Sequence, residues 1–379
     1  MRIAIFTDTF APDVNGVARI LSHYTNYLEE KGIEFIVFAP NNKSSEPFST
    51  HINRFMSFPF FLYPECRLAL PNFFKIKAKL KEFQPDIIHI VTPFNIGMCG
   101  LRYAKKYHVP VVGSYHTNFD QYLAYYDLQF LSKFFWKFMR WFYRHLSLTF
   151  VPSQDTLDQL RKMGFTRMTI WGSGVDCELF HPDYSKDELR KKYQIEEPFL
   201  LSYVGRLAPE KEVATLMKIA RSLPQEVKEK VHWLITGDGP SKEEMEQMAP
   251  ENMTFTGYLD GKELAHVYAA SDLFIFPSVT ETFGNVVLEA LAAGTPVIAA
   301  KAGGVKHIVQ HEQTGLLCEP RNIEQFIAAI TQLINDHELR KEMTNQAREY
   351  ALTQTWDIIF DTLLSHYEQI VNQKTLLYA

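Results

Sequence analysis

The run Leu273-Phe-Ile-Phe-Pro277, followed by Ser278-Val-Thr-Glu-Thr-Phe-Gly-Asn-Val-Val-Leu-Glu-Ala-Leu-Ala-Ala-Gly-Thr-Pro296, changes its hydrophobic period in the middle. Its first part is unbroken apolar sequence ending at a proline, the pattern of a strand buried on both faces of a parallel sheet. A loop with Glu281 and Gly284 comes next. Asn285 to Ala293 then reads as a helix closed by Gly294 and followed by Pro296. Strand, glycine loop and helix start are an arrangement that turns unpaired N–H groups and the positive end of a helix dipole toward an anion. Glu281 and Glu289 flank it as acceptors. A phosphate at the turn with hydroxyls on either side matches a sugar–diphosphate–nucleoside. Taken alone, Glu-x7-Glu also arises by chance, with Glu289 as a solvated helix residue.

Working outward from this stretch, the alternation of strand, loop and helix recurs. Strands Phe199–Val204, Val231–Thr236, Met253–Thr256 and Val297–Ala300 alternate with helical patterns and with the loops Gly205-Arg-Leu-Ala-Pro-Glu-Lys211 and Gly237-Asp-Gly-Pro240, a βαβ domain. A second set begins at the N-terminus. Arg2–Phe6 is a strand, Gly16 opens an amphipathic helix to about Glu30, and Phe35–Ala39, Pro85–Val91 and Val109–Gly113 are further strands. The irregular Gly172–Pro182 has the composition of a hinge. The expected domains are 1–176, a linker at 177–198, and 199–356, with a terminal helix from about 357 packing back on the first domain. Residues 54–74, rich in Phe, Pro and Tyr, read as a connection too broken for a regular element.

At 379 residues and 46% hydrophobic content the chain has the bulk for two globular cores. Cys66, Cys99, Cys177 and Cys318 have no paired spacing, which argues against a disulfide framework or zinc site and for a reducing compartment. Met1–Thr7, followed at once by acidic Asp8, reads as too short for a signal peptide, so none is expected, and no apolar run approaches a membrane span. Residues 1–175 hold 20 Lys and Arg against 13 Asp and Glu, a balance of +7, while the remainder holds 19 against 31, a balance of −12. Leu128–Leu148 reads as a helix. Lys133, Lys137, Arg140 and Arg144 share one of its faces, and Phe and Trp crowd the others. No acidic residue occurs between Asp127 and Asp155, so the expectation is contact with an anionic membrane surface; a core helix with a solvated basic face is the alternative. The acidic balance of the whole chain disfavours nucleic acid.

Arg206 and Lys211 lie in the loop expected beside the opening stretch and are suited to clamp a diphosphate. No Asp-x-Asp occurs in the chain, so no metal is expected to carry the diphosphate. A P-loop signature is absent, and Gly172-x-Gly174 and Gly237-x-Gly239 fall short of a dinucleotide fingerprint. His116, just past a strand's carboxyl end, stands where open sheets bind ligands.

Jointly, Asn15-Gly16-Val17, His116-Thr117, Gly174-Val-Asp176 with Phe180 and Pro182, Gly205-Arg206 with Glu210-Lys211, Gly237-Asp-Gly239 and Glu281-x7-Glu289 resemble the retaining GT-B glycosyltransferases of family 4 along essentially the whole chain. The Phe6-Thr-Asp-Thr-Phe10 start, the Tyr63-Pro-Glu-Cys-Arg-Leu-Ala-Leu-Pro71 segment and His116-Thr-Asn-Phe119 look most like bacterial mannosyl- and glucosyl-diacylglycerol-type enzymes. The resemblance implies two Rossmann-like domains facing across a cleft. It implies a hexose, mannose or glucose, moved from GDP-mannose or UDP-glucose to a lipid or glycolipid, with retention and without metal or other cofactor. By the same resemblance Glu281 contacts donor hydroxyls, Phe283, Gly284, Asn285 and Val286 give amides to the phosphates, and Glu289 binds the ribose. Arg206 and Lys211 neutralise the departing diphosphate, Gly16 lets backbone approach it, His116 touches the transferred sugar, and Tyr258 and Leu259 lie near the base. A cytoplasmic enzyme, peripheral on the inner face of the membrane, is the implied setting. Two departures stand out: Asn15 where many relatives have Gly, and Ser173 where close relatives often have Arg. Competing readings are a soluble-acceptor transferase, a nucleotide-sugar epimerase separated by product analysis without acceptor, and a non-catalytic binding subunit.

Overall fold

A computed structural model describes residues 1–13, 15–41, 51–59, 67–115 and 132–378. The chain forms two compact units, Met1–Gly172 with Ile359–Ala379, and Ser173–Ile358.

The first unit opens with β1 (Arg2–Phe6), α1 (Gly16–Glu30), β2 (Glu34–Pro40) and β3 (Ile52–Phe55). β4 (Ser57–Pro59), β5 (Arg67–Ala69), α2 (Phe73–Phe83), β6 (Ile87–Ile90) and α3 (Asn95–Tyr107) follow. β7 (Val111–Ser114), α4 (Ser132–Tyr143), β8 (Leu148–Val151), α5 (Gln154–Lys162) and β9 (Met168–Ile170) complete it. Its parallel sheet has the order β3-β2-β1-β6-β7-β8-β9. Buried Ile3, Ala4, Ile5 and Phe6 of β1 sit at its centre, as a near-continuous apolar strand covered on both faces must. The order reverses between β1 and β6, the switch point where the loops leaving two adjacent strands diverge.

The second unit begins with α6 (Lys186–Tyr193), β10 (Phe199–Val204), α7 (Val213–Ser222) and α8 (Gln225–Lys228). β11 (Val231–Thr236), α9 (Lys242–Gln247), β12 (Met253–Gly257), α10 (Gly261–Ala270) and β13 (Leu273–Phe276) follow. Then come α11 (Asn285–Ala292), β14 (Val297–Ala300), α12 (Val305–Ile308), β15 (Gly315–Cys318), α13 (Ile323–Asn335) and α14 (His337–Leu352). Its parallel sheet has the order β12-β11-β10-β13-β14-β15, with the switch point between β10 and β13. The final helix, α15 (Trp356–Tyr378), leaves this unit and buries Phe360, Leu363, Leu364 and Tyr367 in the first one. These positions recur at three and four residues, one helix face. Phe360 packs against Tyr24 and Tyr27 of α1, with ring centroids 5.0 and 5.2 Å apart.

Three expectations need correcting. Residues 54–74 are not irregular throughout. β3 adds to the main sheet, β4 and β5 pair antiparallel, and Asn72 caps α2 by accepting from the Lys75 amide at 3.1 Å. The helix expected over 128–148 runs from Ser132 to Tyr143, with 128–131 outside the described residues. Residues 144–147 turn away from the helix instead of continuing it: Ser147 N donates to Val111 O at 2.7 Å and β8 begins at Leu148. The segment 177–198 is no linker. Phe180, Leu189 and Ile195 belong to the second core, and Arg348 of α14 pins its start by donating to the carbonyls of Cys177 (3.0 Å) and Phe180 (2.8 Å). The boundary therefore falls after Gly172.

Candidate functional site

At the second unit's switch point the loops leaving β10 and β13 meet. The β10 loop is zipped to its neighbour after β11: Gly205 N donates to Thr236 O at 3.0 Å, Leu207 N to Asp238 O at 2.9 Å and Ser241 N to Leu207 O at 2.9 Å. Pro209–Lys211 then forms one 3-10 turn. This presents Lys211, whose Nζ lies 2.5 Å from Glu281 Oε1. Both side chains are mostly buried, which makes the pair costly to break one side at a time. Ser278 Oγ donates to the same oxygen at 3.0 Å. Thr280 Oγ1 donates to Glu210 O at 3.0 Å, a second tie between the loops.

The Glu281 backbone is fixed from behind, where Gly304 N donates to its carbonyl at 2.8 Å. A Cβ at Gly304 would fall 2.5 Å from Thr282 O and 2.6 Å from Phe283 Cα, so only glycine lets the two turns touch. Gly284 follows at φ +110°, a conformation that favours glycine, and α11 starts at Asn285. The first amides of a helix precede any intrahelical acceptor, and α11 begins four residues after Glu281. Phe283 and Val286 are half-buried against the core.

Glu289, one turn into α11, is 4% exposed, and the Tyr268 hydroxyl donates to its Oε2 at 3.1 Å. Tyr268 is in turn held by Thr295 Oγ1 on its carbonyl at 2.6 Å. Arg206 is exposed, 3.6 Å from Glu210, a surface pair of little weight. Its carbonyl accepts from the Tyr203 hydroxyl at 3.3 Å. Burial, with Glu281 and Glu210 nearby, pushes the Tyr203 phenol up, so it stays a donor. Tyr258, 67% exposed, and half-buried Leu259 follow β12, the edge strand.

In the first unit, Asn15 caps α1, accepting from Ala18 N at 2.9 Å and donating to Thr9 Oγ1 at 2.7 Å. Among the described residues a Cβ at Gly16 would meet nothing within 4 Å, so their packing does not demand glycine there. His116 and Thr117 lie outside the described residues. The switch point holds a residue the sequence reading missed. Asp8, fully buried at the end of β1, accepts from Thr92 Oγ1 at 2.8 Å and Ile96 N at 3.2 Å. Burial pushes its carboxyl up to about 7, against the lowering effect of the Thr92 hydroxyl and the amides at the start of α3.

Lys133, Lys137, Arg140 and Arg144 are exposed together on and just beyond α4. Most aromatics of that helix serve the core instead of a surface. Trp136, Phe142 and Tyr143 are buried, and Phe134 alone of the α4 aromatics is largely exposed. Among the described residues no group of three or more His, Cys, Asp or Glu is placed to hold a metal ion, and no helix is long and apolar enough to cross a membrane.

Two parallel α/β sheets with loops converging at each switch point are the frame of a GT-B glycosyltransferase. Anabaena HepE, solved with UDP, superposes with a TM-score of 0.78 at 20% identity, over 97% of this chain and 100% of that one. Residues 14–179 match the model of "Glycosyltransferase Family 4" and residues 185–350 that of "Glycosyl transferases group 1". A GDP-mannose-dependent alpha-mannosyltransferase of Mycobacterium tuberculosis is 32% identical over 99% of this chain and 98% of its own length. An alpha-monoglucosyldiacylglycerol synthase of Streptococcus pneumoniae is 30% identical over 97% of this chain and 87% of its own. The chain belongs to glycosyltransferase family 4.

Proposed function

We propose that this chain transfers mannose or glucose, with retention and without a metal, from GDP-mannose or UDP-glucose to a membrane lipid or cell-envelope glycolipid. The observation that carries this reading is the Lys211–Glu281–Ser278 cluster beside the start of α11. A diphosphate at the helix start competes with Glu281 for the Lys211 ammonium, and the released carboxylate becomes an acceptor for sugar hydroxyls. Lys211, Arg206 and the amides of Phe283–Val286 take the charge that grows on the leaving diphosphate. The bond from the anomeric carbon to the phosphate oxygen breaks, and its electron pair stays with the diphosphate. The acceptor hydroxyl attacks from the same face, and its proton passes to the departing phosphate oxygen. Glu289, held by Tyr268, receives the ribose hydroxyls, Tyr258 and Leu259 flank the base, Gly16 gives the phosphates backbone access, and His116 contacts the sugar.

The names of the family relatives support a hexose donor and a lipid acceptor. The exposed basic face of α4 supports a peripheral site of action on the inner, cytoplasmic face of an anionic membrane. Two experiments test this. A thermal-shift panel of nucleotide sugars with EDTA should show stabilisation by GDP-mannose or UDP-glucose that chelation leaves intact; loss of the response with EDTA defeats the metal-free reading. Changing Lys133, Lys137, Arg140 and Arg144 together to Glu should abolish sedimentation with anionic vesicles, and unchanged sedimentation overturns the α4 assignment.

A further inference from the structure

We propose that the outer face of the β4–β5 hairpin, with Phe74 at the start of α2, inserts into the acyl boundary of an anionic bilayer. This rests on the lipid-acceptor reading and assigns the inserting surface. In the hairpin Ser57 stands opposite Ala69 and Phe58 opposite Leu68, and Leu70 N donates to Met56 O at 2.8 Å. Side chains alternate across a strand. Ala69 therefore turns inward, fully buried, with Ser57, whose Oγ accepts from Arg67 Nε at 2.8 Å. Met56, Phe58, Leu68 and Leu70 share the opposite face, at 63%, 53%, 41% and 54% exposure, and Phe74 is 81% exposed.

Single exposed apolar residues are ordinary, but a cluster is not. Of the twelve exposed large hydrophobics among the described residues, these five fall within one nineteen-residue span. The face is not a fraying end. Arg67 N donates to Asp8 O at 3.2 Å and Asn95 Nδ2 to Ala69 O at 2.9 Å, so the hairpin is tied to the switch point of the main sheet. The residues joining its strands, 60–66, lie outside the described residues. Charge selects the occupant. α2 carries Lys75, Lys77, Lys79 and Lys81 against Glu82, which lies 3.5 Å from Lys79. A cationic helix following directly on an apolar face in the chain suits anionic lipid and opposes a second copy, which would bring like charges together.

The test uses the full chain and vesicles of phosphatidylcholine with and without phosphatidylglycerol. Phe58→Ser with Leu70→Ser, both at exposed positions, should weaken sedimentation with the anionic vesicles by about tenfold or more, with the melting temperature and the thermal response to GDP-mannose or UDP-glucose unchanged. Phe74→Trp should add fluorescence, over the wild-type background, that brominated lipids quench. Wild-type sedimentation matched by the double variant, or no added quenching, overturns the hairpin assignment alone. A wild-type chain that sediments with neither vesicle overturns the lipid reading as well. Concentration-dependent dimers without vesicles, lost in the double variant, would assign the face to a second copy and overturn the proposal.

Discussion

At the second unit's switch point two charged side chains meet, Lys211 Nζ lying 2.5 Å from Glu281 Oε1. Lys211 and Glu281 come from loops on adjacent strands and share a mostly buried site with Ser278. Removing one leaves the other charge desolvated, whereas removing both leaves a neutral site. Lys211→Met should therefore cost about 1–3 kcal/mol in denaturant unfolding. Lys211→Met with Glu281→Gln should cost less than the sum of the two single changes; strict additivity would show that the pair is not coupled. Asp8 makes a different prediction. Its folded-state value, about 7, stands above the ordinary 3.8 because burial outweighs the donors around it. The folded state thus holds the proton more tightly than the unfolded chain. The stability it contributes is fully present below about 3.8 and is lost as pH rises through about 7. Asp8→Asn keeps an acceptor for Ile96 N and does not titrate. The wild type should lose about 2 kcal/mol or more relative to Asp8→Asn between pH 4 and 7, with parallel curves above that. Curves parallel throughout would place the Asp8 carboxyl near its ordinary value.

Among the elements, α15 sets the conditions for β7. The Tyr367 hydroxyl meets His89 Nδ1 on β6, and His89 Nε2 lies 2.6 Å from Ser114 Oγ at the end of β7. The Ser114 carbonyl accepts from Tyr143 OH of α4 at 2.7 Å. Tyr367→Phe keeps the ring and removes one partner of a fully buried histidine, which should cost about 1–2 kcal/mol with an unchanged denaturant slope. A change within about 0.5 kcal/mol would make the contact incidental. None of this network was legible in the sequence, because its members lie up to 278 residues apart and each reads locally as an ordinary strand or helix residue. Strands β10, β11 and β14 were legible residue for residue, since apolar runs flanked on at least one side by glycine or proline are local signals. β4 and β5, three residues each, are too short to show a period, and their pairing fixes them instead. The candidate site divides the same way. Lys211 and Glu281 are visible as charges beside a helix start, whereas Ser278, Tyr268 and Asp8 gain their roles only through the partners that tertiary contact supplies.

At the scale of the whole molecule, the first unit draws on a helix that follows the second unit in the chain. The second unit is a single run, Ser173–Ile358, with its own core. The first is completed only by residues from Ile359 onward, which reach it after the chain has passed through the second. Phe360, Leu363, Leu364 and Tyr367 each bury a large side chain there, at about 1.5–3 kcal/mol apiece, or about 6–12 kcal/mol together. That approaches the entire net stability of a typical domain, about 5–15 kcal/mol. Tyr27 of α1 also loses its bond to Asp361, and His89 its bond to Tyr367. A chain ending at Ile358 should therefore lose hydrogen-exchange protection across residues 1–172 while 173–358 keep theirs, because opening follows cooperative units and not the chain as a whole. Protection lost equally in both would show a single cooperative body, and protection kept in both would mean that the core around β1 stands without α15. Only the first pattern fits a first unit whose core is closed by the helix face of Phe360, Leu363, Leu364 and Tyr367.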